Sequence, residues 1–179
     1  ITSPAAYGWG ALAQAAGAGM KLAAHAWTEP GAHNAAAAGV ASIEHGFDMT
    51  DADLLLAKKN GVALVGTEFL ANGDTTGYHR QWVDRLRRAY KAGVLLVYGT
   101  DAIHYKPGVT RGQDAMTGID PWVEAGVPAP AILRAMTTNG TRLLGGRAGS
   151  PRCGLPGRCG RGDGGRRDGA GRERTPLEE

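Results

Sequence analysis

The chain has 179 residues, of which 42% are hydrophobic, and this size is enough for one domain with a buried core. Much of the Arg lies after position 147, so the net charge of +3 describes the end of the chain, and we predict no nucleic-acid partner. No apolar run reaches the roughly 18 residues of a membrane span, and no signal-peptide pattern opens the sequence. We therefore predict no membrane association and a cytoplasmic location. Because the first residue is Ile1 rather than Met, we expect the chain to start within a longer protein.

Helix-like and strand-like segments alternate along the body of the chain. A helix is predicted over Pro4–Ala18, where apolar residues recur at helical spacing. The predicted strands are Lys21–Ala26, Val40–Glu44, Val62–Gly66 and Val94–Tyr98. The helices between them are predicted from Thr28 or Glu29 to Gly39, from Thr50 or Asp51 to Asn60, and as a basic segment ending near Ala92. Further helices are predicted near Gln113–Ala125 and from about Pro128 to Leu144.

This alternation predicts an α/β fold. Successive strand–helix units joined by right-handed crossovers form a parallel sheet. Short apolar strands covered by helices favour half of a (β/α)8 barrel, and an open doubly wound sheet is the second interpretation. No G-x-G-x-x-G motif follows the first strand, which argues against a dinucleotide-binding module.

The last part of the chain differs in composition from the rest. We assign residues 1–145 to the partial barrel and residues 146–179 to a Gly/Arg-rich tail with almost no apolar periodicity. The tail is predicted to be disordered or to come from a shifted reading frame. Its two cysteines, Cys153 and Cys159, form a C-x5-C pair that is a poor zinc signature, so we interpret them as incidental thiols.

Three of the predicted strands lead to a residue that can bind a metal. His25 ends LAAHA, His45 lies in VASIEHG, and Asp101 ends GVLLVYGTD. Because the carboxyl ends of parallel strands lie at one face, we expect these side chains to converge. Imidazole nitrogen and carboxylate oxygen suit a divalent metal, with zinc preferred. Asp101 is also predicted to take the proton of a metal-bound water, as the catalytic residue.

The same segments resemble the amidohydrolase superfamily, in its imidazolonepropionase-like and prolidase-like branch. The resemblance lies in LAAHAWTEPGAHNAAAAGVASIEHG, VYGTDA and VEAGVPAPAILRAMTTNGTRLLG, and it covers roughly Gly19 to Gly145. It implies that His25, His45 and Asp101 are metal-site residues at the ends of the fifth, sixth and eighth barrel strands. The chain would then be the C-terminal half of the barrel. The family's first-strand HxH pair and fourth-strand Lys have no counterpart here. Whether the intact site binds one or two metal ions therefore stays open.

The resemblance also implies an activity. The chain would be a fragment of a metal-dependent hydrolase that cleaves C–N bonds in small amide, dipeptide-like or cyclic amide substrates through a metal-activated water. We expect the isolated chain to be inactive, and a catalytically inactive half-barrel remnant is the alternative interpretation. A nucleotide-binding module is a third. The open edges of a half barrel also predict association into oligomers or aggregates.

Other polar residues near the predicted strand ends are candidates for substrate contact. They are Trp27, Tyr78, His79 and His104. Each also has a structural interpretation, as a core aromatic residue or a solvent-exposed loop residue. Elsewhere, we predict Arg85 on the solvated side of its helix, His33 at the surface and Glu44 in an ion pair.

Overall fold

The computed structural model describes residues 14–68, 77–101 and 107–145. Its four strands form one parallel sheet: β1 (Ala23–Ala26), β2 (Ser42–His45), β3 (Ala63–Gly66) and β4 (Leu96–Tyr98). Its helices are α1 (Gly31–Ala38), α2 (Asp51–Asn60), α3 (Tyr78–Ala92), α4 (Arg111–Thr117), α5 (Asp120–Glu124), α6 (Ala129–Met136) and α7 (Thr138–Leu144). The strands lie in chain order without the reversal that defines a doubly wound sheet. The prediction of a partial (β/α)8 barrel is confirmed.

The two faces of the sheet pack against different partners. Ile43, Leu64 and Leu96 belong to the main hydrophobic core, in which α1, α2, α3 and α5 lie side by side against the sheet. A smaller cluster of Ala63, Val65 and Val97 forms the opposite face, and Leu143 of α7 packs on it. This division follows from the alternation of side chains along each strand, and it matches the outer and inner layers of a barrel.

Local sequence signals set the ends of α2. The hydroxyl of Thr50 accepts a hydrogen bond from the backbone N–H of Asp53, and the Asp53 carboxylate accepts one from the backbone N–H of Thr50. This capping box satisfies two N–H groups that the helix itself leaves unpaired. Gly61 follows the helix at φ 70°, a left-handed conformation that glycine adopts readily. The predicted start and end of α2 therefore agree with the structure.

The helices after β4 are more broken than predicted. The predicted helix near 113–125 is divided into α4 and α5, and the predicted helix over 128–144 is divided into α6 and α7. Gly118 lies between the first two, where a Cβ atom would be 2.4 Å from the carbonyl oxygen of Glu68. Thr137, with φ −131° and ψ −87°, interrupts the second pair. Tertiary packing thus interrupts segments whose periodicity alone favours continuous helices.

Part of the sequence-based prediction lies outside the described residues. Of the helix predicted over Pro4–Ala18, only 14–17 are described as helical, and the tail with its two cysteines is not among the described ranges. None of the helices in those ranges is long and apolar enough to cross a bilayer. β1 and β4 are the edge strands of the described sheet, and association through such edges stays a prediction.

The close packing at Gly118 can be tested with two glycine substitutions. Gly118→Ala should lower the free energy of unfolding by about 1–3 kcal/mol, because the added methyl group meets a backbone oxygen that cannot rotate away. Gly112→Ala is the matched control in α4, where a Cβ would meet nothing within 4 Å, and it should stabilise the chain by roughly 0.5–1 kcal/mol. Urea denaturation measures both. Equal effects of the two substitutions would contradict the packing described here.

Candidate functional site

Two histidines meet at the carboxyl edge of the sheet. His25 is the third residue of β1 and His45 is the last residue of β2. Their ring nitrogens, His25 Nδ1 and His45 Nε2, are 3.0 Å apart. The backbone of His45 has φ 72°, a left-handed conformation that is uncommon for a residue other than glycine. His45 therefore leaves the extended geometry of β2 at the residue that carries the imidazole.

The ring of His45 is held from its other side by the end of β3. His45 Nδ1 is 2.7 Å from the hydroxyl oxygen of Thr67, and His45 is only 6% exposed. Burial lowers the pKa of His45, with further lowering from His25 and Arg85 that Asp101 partly opposes. The imidazole is therefore neutral at pH 7. In the tautomer that carries its proton on Nδ1 and donates it to Thr67, the ring presents the Nε2 lone pair toward His25.

Asp101 lies at the same edge but farther from the histidines. Its Oδ2 is 4.0 Å from His45 Nε2, its side chain is 45% exposed, and its backbone φ is 42°. Two ligands of a tetrahedral zinc ion with bonds of 2.0–2.1 Å are about 3.3 Å apart. The His25–His45 distance is close to this value, and the exposed carboxylate of Asp101 lies at the same edge, 4.0 Å from His45 Nε2. The donor set therefore fits a divalent metal, although the role of each residue stays a prediction.

A row of aromatic rings extends outward from His45. The ring of Trp27 is 5.4 Å from that of His45 and stacks on Phe47 at 5.3 Å. Tyr78, which is 44% exposed, contacts the edge of Phe47 at 5.2 Å. Trp27 and Tyr78 thus lie at the rim of the site, where contact with a substrate stays a prediction. Phe47 is the member of this row that the sequence analysis missed.

The two remaining candidates for substrate contact have different positions. His79 Nε2 hydrogen bonds to Glu124 Oε2 at 2.8 Å, which joins the start of α3 to the end of α5. This contact gives His79 a structural partner away from the two histidines. His104 lies outside the described residues, so its predicted contact with substrate stays a prediction.

A second cluster of ionisable groups lies between the starts of α1 and α2. Glu29, His33 and Asp53 each offer a ligand atom within 4.8 Å of the others, and theirs is the one such group of three in the described ranges. His33 Nδ1 is 2.7 Å from Asp53 Oδ1, while Asp53 Oδ2 is hydrogen bonded to Thr50. The Asp53 hydrogen bond raises the pKa of Glu29, whereas bonds from Thr50 and His33 outweigh burial and lower the pKa of Asp53. We interpret this cluster as part of the α2 cap.

Below the histidines, the structure contains a buried ion pair that was not predicted. The guanidinium of Arg85 contacts the carboxylate of Glu68, and both residues are at most 2% exposed. The prediction that Arg85 lies on the solvated side of its helix is therefore wrong, because α3 turns this residue toward the sheet. Glu44 accepts a hydrogen bond from the hydroxyl of Ser42 at 2.7 Å, and its ion pair stays a prediction, since no charged partner lies among the described residues.

A cavity of about 400 Å³ lies at the opposite edge of the sheet. Its lining includes Lys21, Lys58 and Arg142, together with the glycines that follow α2 and α3. The carbonyl ends of helices carry partial negative charge, which explains basic side chains there without a ligand. The cavity is remote from the carboxyl ends of the strands, so the histidine edge remains the candidate site.

The sequence identifies the family to which this fold and site belong. Residues 9–154 match the amidohydrolase family, and the chain belongs to that family. The predicted resemblance is confirmed. The sequence has no significant match among curated proteins.

Several solved structures share the fold. A Xaa-Pro dipeptidase with bound methionine in its active site is 31% identical, with a TM-score of 0.62, 76% of this chain covered and 37% of the other. An amidohydrolase is 21% identical, with a TM-score of 0.67 and coverages of 81% and 38%. A prolidase complexed with N-methylphosphonate-L-proline is 19% identical, with a TM-score of 0.66 and coverages of 86% and 41%. The chain thus spans well under half the length of these proteins.

The hydrogen bond between Thr67 and His45 can be tested by removing the hydroxyl group. Thr67→Val should lower the free energy of unfolding by about 1–3 kcal/mol, because the buried Nδ1 of His45 loses its partner. Thr67→Ser keeps the hydroxyl and should retain most of this stability. Urea denaturation of the two variants checks the contribution, and a larger loss in Thr67→Ser than in Thr67→Val would show that the methyl group rather than the hydroxyl matters.

Proposed function

We propose that the chain carries part of the metal site of a hydrolase that cleaves C–N bonds in small amide substrates. The observation that carries this proposal is the 3.0 Å approach of His25 to His45, with Asp101 at the same edge of the sheet. Membership of the amidohydrolase family supports hydrolysis as the reaction class. Zinc is the proposed metal, since two imidazoles and one carboxylate form a set of ligands that it accepts readily.

Different residues of the chain would have different roles in such a site. His25 and His45 would hold the metal through their ring nitrogens, and Thr67 would keep the His45 ring in its orientation. When bound, the metal supplies a water of lowered pKa and polarises the substrate carbonyl. Asp101 is the exposed carboxylate at this edge, and its Oδ2 would accept a proton and pass it to the leaving nitrogen.

A dipeptide-like compound is the proposed substrate class. Two of the structural neighbours are a Xaa-Pro dipeptidase and a prolidase bound to a proline-containing phosphonate. The aromatic row begins beside His45, and its partly exposed members Trp27 and Tyr78 offer apolar surface suited to the side chain or ring of such a substrate.

A catalytically inactive half barrel is the competing proposal. It is favoured by the four-stranded sheet, whose inner face of Ala63, Val65 and Val97 lacks the opposing strands of a closed barrel among the described residues. This proposal allows the chain to bind metal but predicts no turnover.

Zinc binding tests the proposed site. The chain should bind one zinc ion. Substitution of a residue that only supports a ligand typically weakens metal binding about 10–100-fold, and His45→Ala should weaken it by more than this. Asp101→Asn should weaken it in the same direction. Competition with a chromophoric chelator measures the affinities.

The matched control separates this site from the second cluster. His33→Asn removes a donor from the Glu29–His33–Asp53 group but leaves the histidine edge intact, and it should leave zinc affinity within twofold of the unaltered chain. If His33→Asn abolishes binding and His45→Ala does not, zinc binds elsewhere and the proposed site is wrong.

Hydrolysis distinguishes the two functions. The zinc-loaded chain should be assayed with Xaa-Pro dipeptides and N-acyl amino acids, by release of the free amine. Turnover that Asp101→Asn lowers about 10²–10⁴-fold, as expected for loss of a general acid–base group, would exclude the inactive half barrel. Zinc bound at His25 and His45 without turnover would favour it instead.

A further inference from the structure

The buried ion pair of Glu68 and Arg85 lies directly beneath the candidate site. Arg85, on α3, is 1% exposed, and Glu68, two residues after β3, is 2% exposed. Burial lowers the pKa of Arg85 to about 9, with a further contribution from Arg88. The guanidinium is therefore still charged at neutral pH. The body of the chain thus contains a charged pair in a position where hydrophobic residues are the ordinary choice.

Stability alone does not explain this pair. Removing two charges from water is unfavourable, and well-packed hydrophobic residues of similar volume are often at least as stabilising as a buried ion pair. Neighbouring residues nevertheless make close contacts with the carboxylate of this pair. The indole Nε1 of Trp122, which is fully buried, donates a hydrogen bond to Glu68 Oε2 at 2.7 Å. A Cβ atom on Gly66 would lie 2.7 Å from the same carboxylate oxygen.

The other end of the guanidinium is directed at a candidate metal ligand. Arg85 Nη1 donates a hydrogen bond to the backbone carbonyl oxygen of His45, while Nη2 contacts Glu68. The register between β2 and β3 ends at Glu44, so His45 has no partner residue in β3. A buried carbonyl needs a hydrogen-bond partner, and the side chain of Arg85 provides one.

This hydrogen bond acts on a strained residue. His45 is held at φ 72°, in a region that is unfavourable for a residue with a Cβ atom. Such conformations persist when the surrounding structure imposes them. The planar guanidinium, fixed by Glu68 and through it by Trp122, imposes the direction of the His45 carbonyl.

We propose that Arg85 and Glu68 are positioning residues for His45, which hold its backbone in the left-handed conformation that places the imidazole against His25 and Thr67. The contacts of Arg85 and Glu68 described above support the effect on geometry. The effect on metal affinity rests also on the proposed function. Without the ion pair, the turn after β2 relaxes toward extended geometry and the two rings separate.

Arg85→Lys is the variant that tests this role. An ammonium group keeps the charge but lacks the fork that reaches Glu68 and the His45 carbonyl together. Arg88→Lys is the matched control, since Arg88 lies on the same helix, pairs with Asp84 and donates to the carbonyl of Met49, away from the histidines. Both variants lose an arginine that links a carboxylate to a backbone carbonyl.

The first measurement needs no metal. The imidazole signals of His45, identified by their loss in His45→Gln, are recorded by NMR in the full chain in the presence of a chelator. Arg85→Lys should shift or broaden these signals while those of His33 stay unchanged, and Arg88→Lys should leave both unchanged. An Arg85→Lys variant that is less stable but keeps the His45 signals in place would make the ion pair merely structural and overturn the proposal.

Zinc affinity is the second measurement. Arg85→Lys should weaken binding about 10–100-fold, the range found for groups that orient a ligand without touching the metal, and Arg88→Lys should change it less than twofold. If the unaltered chain binds no zinc, the proposed function fails, while the NMR comparison still decides the positioning role. If the chain binds zinc and Arg85→Lys changes neither affinity nor ring signals, the positioning role fails alone.

A second variant covers the case in which Arg85→Lys does not fold. Trp122→Phe removes the hydrogen bond to Glu68, together with part of a buried ring, and keeps both charged residues. It should move the His45 signals in the same direction by a smaller amount. Unchanged His45 signals in a folded Trp122→Phe chain, together with unchanged zinc affinity, would overturn the proposal.

Discussion

The parallel register of the sheet is the constraint on which the site depends. Each strand of the described sheet pairs with its neighbour in chain order, so the carboxyl ends of β1 to β4 form one edge. His25 stands opposite Glu44 in this register, and His45 is one residue farther along β2. Regular alternation would direct neighbouring residues of a strand to opposite faces. The left-handed backbone at His45 departs from that alternation and brings the two imidazoles together.

Polar groups concentrate at this edge, while the remainder of the sheet packs in apolar layers. Ile43, Leu64 and Leu96 form the layer beneath the helices, where their shape and burial hold the strands in register. Glu68 and Arg85 depart from this pattern, because they are charged and at most 2% exposed. A charge pair in such surroundings restricts geometry more than an apolar contact does, since its hydrogen bonds are directional. The turn that carries His45 is therefore held by a directional contact rather than by packing alone.

Much of the fold could be predicted from local sequence patterns, and the exceptions have physical causes. The strands and α2 were recognisable because apolar runs, the Thr50 cap and the following glycine are signals within a few residues of each element. The break at Gly118 was not, because it arises from a backbone atom of Glu68 that is distant in sequence. Arg85 was misplaced since a charged residue on an amphipathic helix ordinarily faces water.

The candidate site was predictable in part for the same reason. His25 and His45 follow apolar strands, and the topology of parallel sheets brings strand ends together whatever their separation in sequence. The contacts of Thr67, Phe47 and Arg85 with His45 or its neighbours depend on side-chain directions that a linear pattern does not carry. The contact between His33 and Asp53 is not evident from the sequence, because the two residues lie on different helices and are 20 residues apart.

The connections at the two edges of the sheet differ in how well we expect them to tolerate insertions. At the amino edge, residues 39–41, 61–62 and 93–95 join each helix tightly to the next strand. Each of these links begins with a left-handed glycine. An insertion there would disturb the alignment of whole strands. At the carboxyl edge, more residues separate β3 from α3 and β4 from α4 in the sequence than separate α1, α2 or α3 from the next strand. We therefore expect insertions and deletions to be tolerated better at the rim around His45, where a new loop can alter what is bound without changing the sheet.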